Sequence, residues 1–335
     1  GIFSYGGAIY NNGTINNITG DFIGNYASSS SSSSDAYVST YTYGGAIYNI
    51  TTIGNITGDF IGNYASVNNE ANSDKTQAKG GAIYNSGTIT FGGKSTFTDN
   101  YTEVNGAKTS NAIHNTSGGT INFNSGNIVI NDAITGESGG TLNLSGQVTE
   151  TSDNDIITIN NSVSGNNVNL TQGTLKLGHY YSALFNDTFY GTFGSGVNLT
   201  ISGDSTLTLI DDDVHSVSLG NLTLDSNVNY GIDLSLANKN TDTFTTDSLN
   251  ANNYKFVLKQ INLVDDAEKH VTEITLDNNG GLIDSLNEDE LTITNGANLK
   301  NTYLAEVTGA NKIKFGNIKA LETAVQFKKA ATDFA

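Results

Sequence analysis

The chain has 335 residues, 36% of them hydrophobic, a formal net charge of −18, and no cysteine, methionine, proline or tryptophan. All fifteen basic residues are lysine, which removes bidentate guanidinium recognition of phosphate and disfavours nucleic-acid binding. The missing cysteine excludes a disulfide framework and thiolate metal sites, and the low apolar fraction suits a solenoid, which needs only one inward residue in two. An acidic surface with thirty-eight glycines fits a soluble extracellular rod. With no initiator methionine, signal peptide or transmembrane stretch, the sequence reads as an interior fragment or processed product.

The chain opens on a repeat. Gly6-Gly-Ala-Ile-Tyr-Asn11 returns at Gly44 to Asn49 and Gly80 to Asn85, and decays to Asn111-Ala-Ile-His-Asn115. Each of the first three copies precedes a second signature, at Phe22 to Asn25, Phe60 to Asn63 and Phe97 to Asn100, followed at once by Tyr26, Tyr64 or Tyr101. A period of this size marks stacked supersecondary units. The pieces between Gly and Asn punctuation are short and rich in Ile, Thr, Tyr and Phe, which predicts strands and turns and no helical face.

Apolar offsets agree between copies: Ile9, Ile15, Ile18 and Phe22 against Ile47, Ile53, Ile56 and Phe60. The third copy, Ile83, Ile89, Phe91 and Phe97, slips by one residue, which a turn can absorb. The expected fold is therefore all-β, a right-handed parallel β-helix whose coils stack at about 4.8 Å. Ile9, Ile47, Ile83 and Ile113 should form one inner column, and Ile15, Ile53, Ile89 and Ile121 another. Asn11, Asn49, Asn85 and Asn115 should form a polar column, as should Asn25, Asn63 and Asn100; these asparagines are read as structural, because Asn suits tight corners and carries both donor and acceptor.

Two insertions fall at the same point of the repeat, the serine run at 28–34 and the segment 66–79. They read as flexible spacers leaving one face, dispensable for folding. Residues 1–127 thus form the regular repeat region with loop insertions. From 128 to 315 the signature fades while alternation persists, as in Thr141-Leu-Asn-Leu-Ser145, Asn198-Leu-Thr-Ile201 and Ile232-Asp-Leu-Ser-Leu236, so irregular and closing coils are expected. Over 316–335 the residues Ala320, Ala324, Phe327, Ala331 and Phe334 recur at helical spacing, which predicts a short C-terminal α-helix.

The paired Gly-Gly-Ala-Ile and Phe-x-x-Asn motifs, at Gly6 to Ile9 with Phe22 and Asn25, Gly44 to Ile47 with Phe60 and Asn63, and Gly80 to Ile83 with Phe97 and Asn100, resemble those of polymorphic outer-membrane-protein autotransporters. The likeness covers about the first third of the chain. Residues 227–244 are similar to the closing coils of many autotransporter passengers, and the predicted terminal helix resembles a segment leading into an outer-membrane barrel. The resemblance implies a type V secreted passenger at the cell surface, held to the outer membrane by a C-terminal barrel outside this sequence. It implies an adhesive or display stalk whose partner is a host or bacterial surface receptor or glycan.

Parallel β-helices also carry polysaccharide-active hydrolases, which is the competing class. Asp242, Asp265, Asp266, His270, Lys312 and Lys314 run in the order of the motifs of polygalacturonase-like enzymes, but His270 lacks a Gly-His-Gly setting and the basic element lacks arginine. Asp211, Asp212 and Asp213 with His215 have the spacing to face a cation from one strand, although acidity at a turn is the simpler account. His114 replaces the repeat tyrosine and is expected in a structural slot; His179 is isolated. No catalytic, cofactor-binding or metal-ligating residue is assigned, and the chain is read as non-enzymatic.

Overall fold

The computed structural model describes residues 1–32, 38–69, 75–124, 127–146, 156–267, 271–277, 279–296, 299, 301 and 303–317. Its repeats align strand on strand in parallel, and the register is the one that the sequence spacing demands. Ile9 pairs with Ile47, Ile47 with Ile83 and Ile83 with Ile113. The same column continues through Ile134, Val163, Phe193 and Leu219, none of which belongs to a recognisable repeat copy. A second column runs Ile15, Ile53, Ile89, Ile121, Leu142, Val168, Leu199 and Leu222. From Ile47 onward the members of both columns have at most 1% of their surface exposed, except Leu222's neighbour in the next coil, Leu249. The pairing crosses residue 127 without a break, so the regular and irregular regions form one solenoid-like stack.

The one-residue slip of the third copy is absorbed inside a strand and not at a turn. Ile53 faces Ile89 while Ile56 faces Phe91, which leaves an extra residue in the Thr52–Thr57 strand as a bulge. Phenylalanine then stacks on phenylalanine: Phe22, Phe60 and Phe97 lie 4.8 and 4.7 Å apart between ring centroids with near-parallel planes.

The insertions are not spacers in their described part. Tyr26–Ser30, Tyr64–Asn68 and Tyr101–Val104 form a parallel sheet that Ala107–Ser110 closes by antiparallel pairing. Ile2–Tyr5, Thr40–Tyr43 and Thr76–Lys79 form a second parallel sheet. The two sheets are joined by hydroxyl and amide contacts: Ser29 Oγ lies 2.6 Å from Thr42 Oγ1, Thr42 Oγ1 donates to the Ser66 carbonyl at 2.9 Å, and Asn69 Nδ2 donates to Thr40 Oγ1 at 3.1 Å. Thr40, Thr42, Ala65 and Val67 are buried between them. The repeat therefore builds a double-layered projection with a small-residue, partly polar interior.

The closing segment also departs from the expected coils. Val271–Thr275, Tyr303–Gly309 and Lys312–Asn317 make a three-stranded antiparallel sheet with the last strand in the middle. Ile274, Ile313 and Phe315 join the apolar core from it. Among the described residues there is no α-helix. Gly316 and Asn317 end a strand and so correct the start of the predicted C-terminal helix; the remainder of that segment, 318–335, lies outside the described residues.

Two outcomes are expected. Phe60→Ala removes the middle ring of a stack with no room to collapse, and should lower stability in urea titration by about 3–5 kcal/mol; a loss under 1 kcal/mol would contradict the stacked column. Thr42→Val removes the Thr42 contacts to Ser29 and to the Ser66 carbonyl and should cost about 1–3 kcal/mol, with the Ser29 hydroxyl left only its longer bond to the Tyr41 carbonyl.

Candidate functional site

Two places concentrate chemistry-bearing side chains, and each is positioned by coil register. The first is the corner where the projection joins the coil stack. Gly44 sits at φ +70°, and a Cβ there would lie 2.1 Å from the Ile47 carbonyl oxygen; a Cβ on Gly45 would lie 1.9 Å from the Gly81 oxygen of the next coil. The first glycine is demanded by the bend and the second by coil contact. The bend brings the tyrosines on either side of the glycine pair into one corner. Tyr10, Tyr48 and Tyr84 stack at 5.2 and 5.1 Å, Tyr5 approaches Tyr48 at 4.7 Å, and Tyr43 stacks on Tyr84 at 4.7 Å. Burial pushes the Tyr43 hydroxyl up to about 12 and raises that of Tyr84 further, so both remain neutral phenols.

His114 ends this ladder, stacked 5.4 Å from Tyr84, in the tyrosine slot that the sequence assigns it. Its Nδ1 lies 2.9 Å from Thr135 Oγ1, and its Nε2 is 3.7 Å from the Glu137 carboxylate that ion-pairs with Lys79 at 3.2 Å. Burial, reinforced by Lys79, pushes the imidazole down to about 4 despite Glu137. It is neutral at physiological pH and serves as a stacking ring.

The second place is a buried acid–imidazole cluster. Asp211 accepts from His179 Nδ1 at 2.8 Å, and His215 Nδ1 lies 3.7 Å from both Asp211 and Asp242. Asp233 Oδ2 accepts the Asp211 amide at 2.7 Å, and Asn262 Nδ2 donates to both Asp233 and Asp212 at 2.6 and 2.9 Å. Asp242 accepts two amides, from Asp233 at 2.6 Å and His215 at 2.9 Å. Burial pushes Asp242 up to about 8 and Asp233 to about 6, overriding hydrogen bonds that act the other way. Tyr190 covers the cluster, its ring 5.1 Å from His215 and its hydroxyl donating to Asp213 at 3.3 Å.

Of the motifs singled out in the sequence, only Asp211 to Asp213, His215, His179 and Asp242 meet. Asp265 accepts from Ser235 Oγ and the Ala237 amide, whereas Asp266 accepts from Asn301 and from the Tyr303 hydroxyl. Lys312 faces Glu273 at 3.8 Å, and His270 lies outside the described residues. Asp233 and Tyr190 escaped sequence reading because only coil register places them beside Asp211. A shallow cavity near Leu276, Ile283, Asp284 and Asn311 shares no residue with the cluster. Among the described residues, no group of three His, Asp or Glu side chains has the arrangement to hold a metal ion.

A second carboxylate was also missed. The Asn25, Asn63, Asn100 column, bonded at 3.0 and 2.9 Å, ends on Asp132, whose Oδ2 accepts from the Asn100 side chain at 2.8 Å and its amide at 3.0 Å. Burial pushes this carboxyl up to about 7. The clue is Asp132-Ala-Ile134, a decayed copy of the Gly-Ala-Ile signature. Comparison with protein-family models, curated proteins and solved structures gave no match.

The aspartates predict a pH dependence. Their folded pKa values exceed the ordinary aspartate value of about 3.9, so the stabilisation of the protonated form is complete below about pH 4 and is lost as pH rises through the folded values, about 7 for Asp132 and about 8 for Asp242. His114 acts in the opposite sense, but only below about pH 6.5. Melting temperature should therefore fall between about pH 6.5 and 8.5. Asp132→Asn, which keeps an acceptor for Asn100, should flatten part of that fall; an unchanged slope would mean that Asp132 is ionised throughout.

Proposed function

We propose that the chain is a passenger segment of a bacterial surface autotransporter, a non-enzymatic adhesive or display stalk. We read its winding as a right-handed parallel β-helix, the hand that parallel crossover connections adopt almost without exception. The observation that carries the reading is the projection: the same repeat that stacks the core also extends two sheets outward, with an aromatic corner at their base. A stalk gains from this arrangement because each added coil lengthens the rod and repeats the displayed surface.

The ionisable cluster supports a non-catalytic role. Asp242 and Asp233 spend their oxygens on backbone amides and Asn262, His179 is bonded to Asp211, and His215 Nδ1 is bonded to the Asp213 carbonyl at 3.0 Å. Inverting glycoside hydrolysis needs two carboxyls across a gap of about 6.5–9.5 Å that admits sugar and water, whereas these carboxyls are bonded into the coil corner. The partner is a surface receptor or glycan, with the cell surface as location and an outer-membrane barrel in the parent chain as anchor.

The test is display of residues 1–317 on an unrelated outer-membrane barrel, followed by whole-cell binding to epithelial monolayers and to glycan arrays. Binding above the bare barrel, reduced by replacing the projection strands, is the expected result. Release of reducing ends from a polysaccharide panel, abolished by Asp242→Asn, would instead establish a hydrolase.

A further inference from the structure

Between Gly178 and Gly191 the chain leaves the coil and returns to it. The Gly191 amide donates to the Gly178 carbonyl at 2.7 Å, and a Cβ on Gly191 would lie 2.0 Å from the Ile159 oxygen of the preceding coil, so the neck is pinched shut against the stack. Leu177 and Phe193 on either side are fully buried, whereas within 179–190 only Ser182 is buried. The excursion is an antiparallel hairpin, His179–Ser182 with Asp187–Tyr190, that adds little to the core.

It is nevertheless held in one orientation. Ser182 Oγ donates to Asp99 of an earlier coil at 2.9 Å, while His179 Nδ1 and the Tyr190 hydroxyl donate to Asp211 and Asp213 of the next coil at 2.8 and 3.3 Å. By strand alternation Ser182 lies on one face, and His179, Tyr181, Thr188 and Tyr190 lie on the other, which stands over the Asp211 to Asp213 turn. Tyr181 and Tyr190 occupy diagonal positions on that face and are 55% and 39% exposed, and Leu184 at the tip is 40% exposed. Outside the first two coils, half of the large apolar side chains left exposed among the described residues belong to this one hairpin. Such a concentration of aromatic surface on an ordered element marks a contact site.

Charge selects the partner. No lysine occurs in 178–191 or 210–216, and Asp187, Asp212 and Asp213 are exposed there. Lys176 flanks Gly178 at the neck together with Asp211, and among the described residues no lysine is in ion-pair contact with Asp212 or Asp213. The His215 side chain, packed against Tyr190 with ring centroids 5.1 Å apart and only 9% exposed, adds an unmet acceptor. Its Nδ1 lies 3.0 Å from the Asp213 carbonyl, which can only accept, so Nδ1 carries the proton and Nε2 of the neutral ring is a bare lone pair with no hydrogen-bond partner. Tyrosine rings, open carboxylates and an unfilled acceptor together suit an N–H-bearing organic cation.

We propose that the face of the hairpin bearing Tyr181 and Tyr190, with the Asp211 to Asp213 turn at its foot, is a docking surface for a basic polypeptide segment. An arginine or lysine of the partner lies against the two tyrosines and pairs with Asp212 and Asp213, and a neighbouring apolar side chain meets Leu184. The surface is separate from the projection, and the inference stands whether or not the chain is an autotransporter passenger.

The probe is a synthetic peptide of alternating leucine and arginine, titrated calorimetrically into the intact chain at about 0.15 M ionic strength, where long-range attraction to an acidic protein is largely screened. One peptide should bind per chain and slow hydrogen exchange at 179–190, and the same peptide with citrulline in place of arginine should not bind. Tyr181→Ser combined with Leu184→Ser, which keeps every charge, and Asp213→Asn, which keeps an acceptor for Tyr190, should each weaken binding about tenfold. Since Asp213 also anchors the hairpin, the Tyr181 and Leu184 variant decides the matter if Asp213→Asn lowers the melting temperature. Equal affinity of that variant and the unmodified chain, equal binding of the citrulline peptide, or no binding at all would overturn the site. Retention on a glycan array that is lost in the same variant, without peptide binding, would assign the hairpin to sugars and overturn the basic partner.

Discussion

Everything in this molecule follows from the spacing of parallel strands, which sets each residue about 4.8 Å from its counterpart in the next coil. At that distance a side chain's main neighbour is a copy of itself or its substitute. Only side chains that tolerate self-contact can repeat: isoleucine and phenylalanine by packing, tyrosine by ring stacking, asparagine by donating from one amide to the next. The Asn11 and Asn25 columns and the Phe22 and Tyr10 stacks are four solutions to one constraint. The outer surface uses it again, with Asn122, Asn143 and Asn169 bonded in series at 2.8 and 3.0 Å.

Charge is what a buried column does not repeat, since like charges at this spacing repel with little water between them; Asp21 and Asp59 stack in adjacent coils, but outside the core. The columns resolve this by placing ionisable groups singly and at ends. Asp132 terminates an asparagine ladder and His114 a tyrosine ladder, and burial shifts each toward its neutral form. Asp211 and Asp233 fall in adjacent coils, Asp242 faces Asp233 across an antiparallel hairpin, and the carboxyls of Asp233 and Asp242 are both raised. The cluster is thus a consequence of coil stacking with acidic corners, held by backbone amides and Asn262.

The same constraint lets an insertion become architecture. Segments of similar composition inserted at one point of successive coils lie over one another, and Tyr26–Ser30 and Tyr64–Asn68 extend the ladder outward even though serine has little strand preference. Register supplied by the core overrides local propensity. Beyond the parallel strands an antiparallel sheet contributes Ile274, Ile313 and Phe315 to the apolar core.

Sequence alone determined the inner columns, the asparagine columns and the tyrosine slot of His114, because a repeat fixes which residues share a position and parallel stacking then makes them neighbours. It also located strand segments of the irregular region through alternation, with Thr141 to Ser145 and Asn198 to Ile201 falling inside the strands Gly140–Ser145 and Thr192–Ile201. What it left open depends on contacts between residues that share no motif. The fate of the serine run depended on Thr40 and Thr42 from a later segment, the burial of Asp132 on where the decayed copy Asp132-Ala-Ile134 fell in the stack, and the meeting of Asp211, Asp233 and Asp242 on the stacking of two coils and on a hairpin within one of them. Periodicity carries position along the coil, whereas coil length, which sets what lies above what once the period is lost, is decided only when the chain has wound.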